Sequence, residues 1–221
     1  MRLLLLLLFT ILFSTTVLCQ KTKSEFGMEG GPALTSLRGN DILEDLNDPA
    51  VGFSAGFFFQ YYLANHFSIL THLSLERKGV VGKNSITDMN GNFPGVITTH
   101  SNYNYLTIPV LIRRSFGSKI KFFFNTGPFF SYLLSQQTVS KGADRPRTTV
   151  NNTNLFKHFD AGISAGGGII IPYKNIFLFS CEIRNNLGLK NISALPVYNN
   201  GTIKTNAVNL LFSVVYKPGK K

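Results

Sequence analysis

Apolar and polar side chains alternate with a period of two along most of this sequence. In the segment 205–217, Val208, Leu210, Phe212, Val214 and Tyr216 share one face of the chain. In the segment 51–63 one face is again apolar: Phe53, Ala55, Phe57, Phe59, Tyr61 and Leu63. Because successive side chains of a strand point to opposite faces, this alternation predicts β-strands with one apolar and one small or polar face.

Eight such segments follow one another, and no window after the first residues has the periodicity of an amphipathic helix. The predicted strands cover residues 24–33, 51–63, 67–78, 102–116, 119–134, 157–172, 175–187 and 205–217. Most reach the roughly 9–11 residues that a tilted strand needs to cross a bilayer.

The connections between these strands alternate in length. Long connections cover residues 34–50, 79–101, 135–156 and 188–204, whereas tight turns cover residues 64–66, 117–118 and 173–174. Short periplasmic turns and longer outer loops are typical of outer-membrane barrels. The sequence therefore predicts an all-β fold: an eight-stranded antiparallel up-and-down transmembrane β-barrel with short periplasmic turns and four longer extracellular loops.

Composition favours a barrel whose apolar faces point outward over a soluble barrel with an apolar interior. The chain has 20 Phe and 20 Gly, and only 15% of its residues are charged, against about 25% in soluble domains. The polar face of one strand is built from small residues that suit a crowded interior: Gly162, Ser164, Gly166 and Gly168. Aromatic residues that gather near strand ends predict interfacial girdles: Tyr61, Tyr62, Tyr103, Tyr132, Tyr173 and Tyr216.

The N-terminal segment is predicted to direct export. A basic start at Arg2 and the apolar run 3–13 indicate a signal peptide over residues 1–19, cleaved before Gln20. Residues 20–221 would then form a single outer-membrane β-barrel domain, and the mature protein would lie in the bacterial outer membrane.

The charged residues on the polar faces are expected to point into the barrel. They are Glu29, His72, Glu76, Arg113, Lys121, Asp160, Glu182 and Arg184. A charge that faces lipid at mid-depth costs ~2–4 kcal/mol, and unpaired charges in a narrow interior cost several kcal/mol each, so opposite signs should pair. The predicted role of these residues is a structural plug; a continuous water channel is the alternative.

A catalytic interpretation is conceivable for His158 and Asp160, which stand two residues apart on one predicted face near the third long loop. Asp160 could orient the imidazole there, but any polar lumen contains such pairs. The four His residues are too scattered for a metal motif. The sequence therefore predicts no catalytic residue, no cofactor site and no metal site.

The formal net charge of +11 bears on the partners of the chain. Because the chain is predicted to be exported, nucleic acid is not an expected partner. Anionic outer-membrane lipid and lipopolysaccharide phosphates are the natural counterparts of this charge. A basic surface without a dedicated partner is an equally good interpretation.

Several segments resemble the PorT-like outer-membrane β-barrel family, also known as a porin family. They are residues 105–113 (YLTIPVLIR), residues 127–134 (GPFFSYLL), residues 160–162 (DAG) leading into 166–168 (GGG), and Arg184 followed by residues 188–192 (GLKNI). The resemblance covers essentially the whole mature chain and implies an eight-stranded outer-membrane barrel. The family's namesake is linked to protein secretion.

The expected function is accordingly that of a non-enzymatic structural or interaction component that supports protein secretion or envelope integrity. Other envelope or secretion-system proteins are its expected protein partners. Two alternatives remain open at this point: a narrow porin-like channel for small solutes, and a soluble periplasmic ligand-binding barrel.

Overall fold

A computed structural model describes residues 24–86, 95–142, 145–174 and 176–216, and the predicted signal peptide lies outside these ranges. The strands of the described residues are β1 (Ser24–Arg38), β2 (Asn47–Tyr62), β3 (Phe67–Ile86), β4 (Gly95–Phe116), β5 (Lys121–Gly142), β6 (Arg145–Asn151), β7 (Phe159–Tyr173), β8 (Phe177–Gly188) and β9 (Lys204–Tyr216). A six-residue helix, Asp41–Leu46, joins β1 to β2. No helix in the described ranges is long and apolar enough to cross a membrane.

The sheet closes on itself into a barrel of eight strands. Each strand pairs antiparallel with the next in the order β1, β2, β3, β4, β5, β7, β8, β9, and β9 pairs back with β1. The remaining strand, β6, pairs with the outer end of β5 and is not part of the ring. The predicted eight-stranded antiparallel barrel is therefore confirmed, and closure leaves the ring without unpaired edges.

The predicted direction of the two faces is also confirmed. On β2, Phe57 and Phe59 are 50% and 44% exposed, whereas Ser54 and Gln60, which have the opposite parity, are 6% and 2% exposed. On β9, Phe212 is exposed and Asn209 is buried. Apolar side chains thus cover the outside of the barrel and polar ones fill the inside, the opposite of a soluble protein.

The outward apolar side chains form a band whose height matches a bilayer. On β3 the outward positions between Phe67 and Leu75 are mostly large and apolar, and Arg77 is the next outward residue. Phe67 pairs across the sheet with Arg114, which marks the opposite border. About nine residues per strand lie between these borders, close to the 9–11 that a tilted strand needs.

Two of the residues predicted for the aromatic girdles point inward instead. Tyr61, Tyr132 and Tyr216 are exposed on the outer surface, but Tyr103 is buried and Tyr62 lies on the inner face. The reason is the strand pleat: Tyr61 and Tyr62 are adjacent, so they cannot both face outward.

Three of the four predicted long loops are partly wrong, because much of their length is strand: residues 34–50, 79–101 and 135–156. The strands β3 and β4 continue to pair from Gly79↔Asn102 up to Ile86↔Gly95, and β5 continues to Gly142 and pairs with β6. We call this four-stranded projection the outer sheet: residues 78–86, 95–103 and 136–142 with β6. Its apolar residues include adjacent pairs, Val80 with Val81 and Val96 with Ile97, among many Thr, Ser, Asn and Gln, so the apolar periodicity that predicted the other strands is missing here.

Candidate functional site

The candidate site is the barrel interior, where buried charged side chains from five strands meet. Of the residues predicted to lie there, the structure buries Glu29, His72, Glu76, Arg113, Asp160, Glu182 and Arg184. The eighth, Lys121, was predicted wrongly: it has the inward parity but is the first residue of β5, where it is exposed at the periplasmic mouth.

Arg184 is the centre of a first group, the central cluster, formed with Glu29, His72, Arg113 and Glu182. Nη1 and Nη2 of Arg184 donate hydrogen bonds of 3.1 Å each to Oε1 and Oε2 of Glu29. Nε and Nη2 donate to the two carboxylate oxygens of Glu182. One guanidinium therefore binds two carboxylates in bidentate fashion, the strongest arrangement open to such groups.

Two further residues complete the central cluster. His72 Nδ1 lies 2.9 Å from Oε1 of Glu29, and Arg113 Nη2 donates a 3.1 Å hydrogen bond to Oε2 of Glu182. The Arg113 guanidinium also stacks 3.8 Å from the ring centroid of Phe123. Both carboxylates thus have two basic neighbours, which offsets the cost of burying them.

A second group, the upper cluster, lies nearer the extracellular end and consists of Glu76, Lys78 and Asp160. Lys78 Nζ is 3.6 Å from a carboxylate oxygen of Glu76 and 3.6 Å from one of Asp160. It also donates a 3.1 Å hydrogen bond to Thr205. The aromatic rings of Tyr105 and Phe129 lie 5.0 and 4.9 Å from the ammonium. This fully buried cation is paired on both sides and enclosed by two rings.

Lys78 was missed in the sequence analysis, although a signal for it exists. It shares a face of β3 with His72, Ser74 and Glu76, at a spacing of two residues. Its position at the end of the predicted strand hid this continuity, because β3 extends further than the apolar pattern indicates.

Amide and hydroxyl side chains donate further hydrogen bonds to carboxylates of both clusters. Glu76 accepts hydrogen bonds from Asn186, Asn209 and Thr107 at 3.0, 3.2 and 3.0 Å. Asn125 donates to Glu182 at 3.1 Å. In the two clusters together, four carboxylates thus face one ammonium, two guanidinium groups and one imidazole.

Clusters of apolar side chains lie at both ends of the lumen. The extracellular end is filled by Leu37, Val80, Tyr103, Tyr105, Leu133 and Ile192, with Phe156 and Ile203 packed against them. Ile192 belongs to the segment 189–203 and is fully buried; its backbone carbonyl accepts a 2.7 Å hydrogen bond from the amide of Lys157. The periplasmic end is filled by Phe58, Leu70, Leu111 and Val215.

Open space is found at the periplasmic mouth. A cavity of about 130 Å³ lies there, lined by Tyr62, His66 and Lys121 among others. Further in, the cavity beside Arg113 and Gln60 has only about 10 Å³. This is at the lower limit of the space that one water needs, so the mouth leads into a packed interior.

The predicted common face of His158 and Asp160 is wrong. His158 precedes β7, and its ring stacks on the outward Tyr132 with centroids 5.3 Å apart. Asp160 is fully buried in the lumen, where it accepts a 2.7 Å hydrogen bond from Thr205. The two side chains therefore lie on opposite sides of the barrel wall. In the described ranges, no group of three or more His, Cys, Asp and Glu side chains is arranged to hold a metal ion.

The closed ring, the outward apolar band and the polar interior can be set beside known proteins. The sequence profile of the family described as "Outer membrane protein beta-barrel domain" matches residues 19–194, more than half of the chain. The chain belongs to this family. This outer-membrane β-barrel protein is accordingly placed in the outer membrane, in contact with its lipids.

Several solved outer-membrane barrels are similar to this protein in fold. Neisserial surface protein A is 12% identical in sequence, with a TM-score of 0.46; the match covers 88% of this chain and 99% of that protein. Ail of Yersinia pestis is 8% identical in sequence, with a TM-score of 0.45; the match covers 88% of this chain and 99% of Ail. OprG of Pseudomonas aeruginosa is 12% identical, with a TM-score of 0.41; the match covers 89% of this chain and 97% of OprG. Among proteins of curated function, none matches this barrel in sequence.

The glycine run of β7 makes room for the central cluster, and this can be tested. A Cβ at Gly166 would lie 2.8 Å from Oε1 of Glu182 and 2.9 Å from Oδ1 of Asn125. We expect Gly166→Ala to lower the free energy of unfolding by about 1–3 kcal/mol through overpacking. The measurement is urea unfolding of the purified barrel in detergent micelles.

Gly30→Ala is the matched control for that substitution. Gly30 is also a barrel-strand glycine, but the nearest atom to a Cβ at this position would be the backbone oxygen of Ser54, at 3.3 Å. We expect it to change stability by less than about 1 kcal/mol. Equal effects of the two substitutions would contradict the tight packing at Gly166.

Proposed function

We propose that the protein is a closed, non-enzymatic outer-membrane barrel that serves as a structural and interaction component of the envelope, in protein secretion or in envelope integrity. The observation that carries this proposal is the packed lumen. Paired charges fill its middle, and apolar side chains fill both ends. Such an interior stabilises the barrel, and the described side chains fill the space through which solutes would have to pass.

The outer sheet supports the interaction role. Residues 78–86 of β3 form about 30 Å of extended chain beyond the apolar band, at ~3.3 Å per residue. Exposed polar side chains such as His100, Gln137 and Lys141 cover it. A paired sheet holds such side chains in a constant arrangement, which suits a surface for recognition.

The proposed partners are lipopolysaccharide around the barrel and other envelope or secretion-system proteins on the outer sheet. The resemblance of residues 105–113 and 127–134 to PorT-like proteins supports a link to secretion. Export through a signal peptide cleaved before Gln20 is part of the same proposal. Two alternatives are less well supported: a packed lumen argues against a channel, and outward phenylalanines argue against a soluble barrel.

A planar-bilayer recording tests whether the lumen is closed. We expect purified, folded protein to give no reproducible conductance steps above those of heat-unfolded protein added in the same way. The physical reason is that the central cluster and the apolar ends fill the bore. Stable, reproducible steps from the folded sample alone would instead support the narrow channel.

A cross-linking pull-down from native envelopes tests the interaction role. The full chain is compared with a variant in which residues 83–98 are replaced by Asn-Gly, since Gly82 and Thr99 are cross-strand neighbours. We expect a partner of the full chain to be lost from the trimmed chain, while both chains keep the gel mobility of a folded barrel. Equal recovery of that partner with both chains would contradict a role for the outer sheet.

A further inference from the structure

A row of polar side chains lies on the outside of the barrel directly above the apolar band. Arg77 is the first outward residue of β3 beyond Leu75, and it is exposed. Its Nε donates a 3.0 Å hydrogen bond to Oδ1 of Asn104 on β4. Asn104 in turn donates a 2.9 Å hydrogen bond to Ser135 on β5. The guanidinium also lies 5.2 Å over the ring of Phe53. These contacts hold the cation in one place on the outer wall.

A second cation lies farther around the wall, beyond the end of this row. Lys190 Nζ is 4.5 Å over the ring of Phe159 on β7, and the amide of Lys190 donates to the carbonyl of Ala161 on the same strand. Phe159 pairs with Tyr132 on β5, three residues from Ser135. Both cations therefore stand on aromatic rings at the border of the apolar band. We call Arg77, Asn104, Ser135, Phe159 and Lys190 the outer ledge.

The spacing of the outer ledge suits a large headgroup with more than one negative charge. Arg77 and Phe159 are on strands three steps apart, which is roughly 14 Å at ~4.8 Å per step. An arginine fork binds phosphate oxygens in bidentate fashion, and a lysine adds a second point charge. Beneath the ledge, the outward Leu75, Leu106 and Ile163 offer an apolar surface to acyl chains.

We propose that the outer ledge binds the phosphorylated headgroup of an outer-leaflet glycolipid of the lipid A class, whose acyl chains lie along the apolar band. The inference deepens the lipopolysaccharide contact proposed above and rests on it. Arg77 and Lys190 contact phosphates, and Asn104 positions Arg77. The opposite border of the band provides a natural comparison, since Arg114 lies 5.5 Å over the ring of Phe67 on the periplasmic side.

Native mass spectrometry of the full chain in detergent micelles tests the ledge. The probes are bis-phosphorylated lipid A, the same lipid without its phosphates, and inorganic phosphate. We expect Arg77→Gln with Lys190→Gln to reduce the occupancy of lipid A roughly 10- to 30-fold, because each basic residue near a lipid surface contributes ~1 kcal/mol. Arg114→Gln, the matched control from the opposite border, is expected to leave occupancy unchanged.

Each other outcome would contradict the binding of lipid A at the outer ledge. Lipid A bound equally by the double variant would place the contact elsewhere on the barrel and leave the proposed function standing. An equal loss of lipid A occupancy in Arg114→Gln would show that overall charge, and not the outer ledge, determines binding. Equal binding of the dephosphorylated lipid, or of inorganic phosphate alone, would contradict a phosphorylated lipid as ligand. If wild-type protein binds none of the lipids, the lipopolysaccharide contact itself fails, whereas the closed lumen is tested separately by conductance.

Discussion

Arg184→Met is expected to lower the free energy of unfolding by about 3–5 kcal/mol, the usual cost of breaking a buried ion pair from one side. Methionine keeps much of the volume but removes the charge that binds Glu29 and Glu182 together. Those carboxylates would retain His72 and Arg113 as basic neighbours, but lose their bidentate partner. Urea unfolding in micelles, followed by the gel mobility of unheated samples, measures the effect.

The control for this substitution is an ion pair outside the lumen. Lys83 and Asp48 are 3.2 Å apart, and their side chains are 62% and 65% exposed. Lys83→Met should therefore cost no more than about 1 kcal/mol. The double variant Glu29→Gln, Arg184→Met should regain part of the stability, because it removes one uncompensated charge. A loss below about 1 kcal/mol from Arg184→Met would show that the central cluster is not a stabilising plug.

Leu73→Arg is expected to destabilise the folded barrel in lipid by about 2–4 kcal/mol, the cost of an arginine at the bilayer midplane. Leu73 points outward from β3 midway between the borders at Phe67 and Arg77, and is 49% exposed. The measurement is reversible denaturant unfolding of the barrel in phospholipid vesicles, monitored by gel mobility and by protection from protease.

Ser85→Arg is the matched control, since Ser85 lies on the same strand with the same parity but in the outer sheet. Water surrounds that position, so the change should be within about 0.5 kcal/mol. If Leu73→Arg is as harmless as Ser85→Arg, the exposed apolar band does not face hydrocarbon. That result would support the alternative of a soluble periplasmic barrel.

The amino-acid pattern is sufficient for the barrel wall because a closed sheet in a membrane has a simple rule. Every backbone group must pair, and every second side chain must be apolar. The stripes through Phe57 and Phe212 follow this rule, and the strands they predicted are those of the ring. The same rule does not apply to the outer sheet, since it projects beyond the apolar band and does not face hydrocarbon. Its threonine-rich strands, such as the start of β4, therefore have no apolar period and were predicted as loops.

The interior was predictable only in part. Parity along each strand is a local property, so it correctly indicates an inward direction for Glu76 and Glu182. Depth along the barrel axis depends on strand tilt and on where each strand begins. Lys121 and Lys78 show this limit: the first has the inward parity but lies at the mouth, and the second is the last residue of a predicted strand but lies deep in the lumen, because β3 continues beyond it.

The sequence by itself determined the number of barrel strands, the direction of their apolar faces and the membrane as the surrounding solvent, because all three follow from a two-residue period and the spacing of turns. Only the tertiary structure decided which charges meet. Glu29 and Arg184 are 155 residues apart along the chain, and β1 and β8 become close neighbours only once β9 pairs with β1. Ring closure, a property of the whole chain, therefore decides the partners that no local pattern can assign.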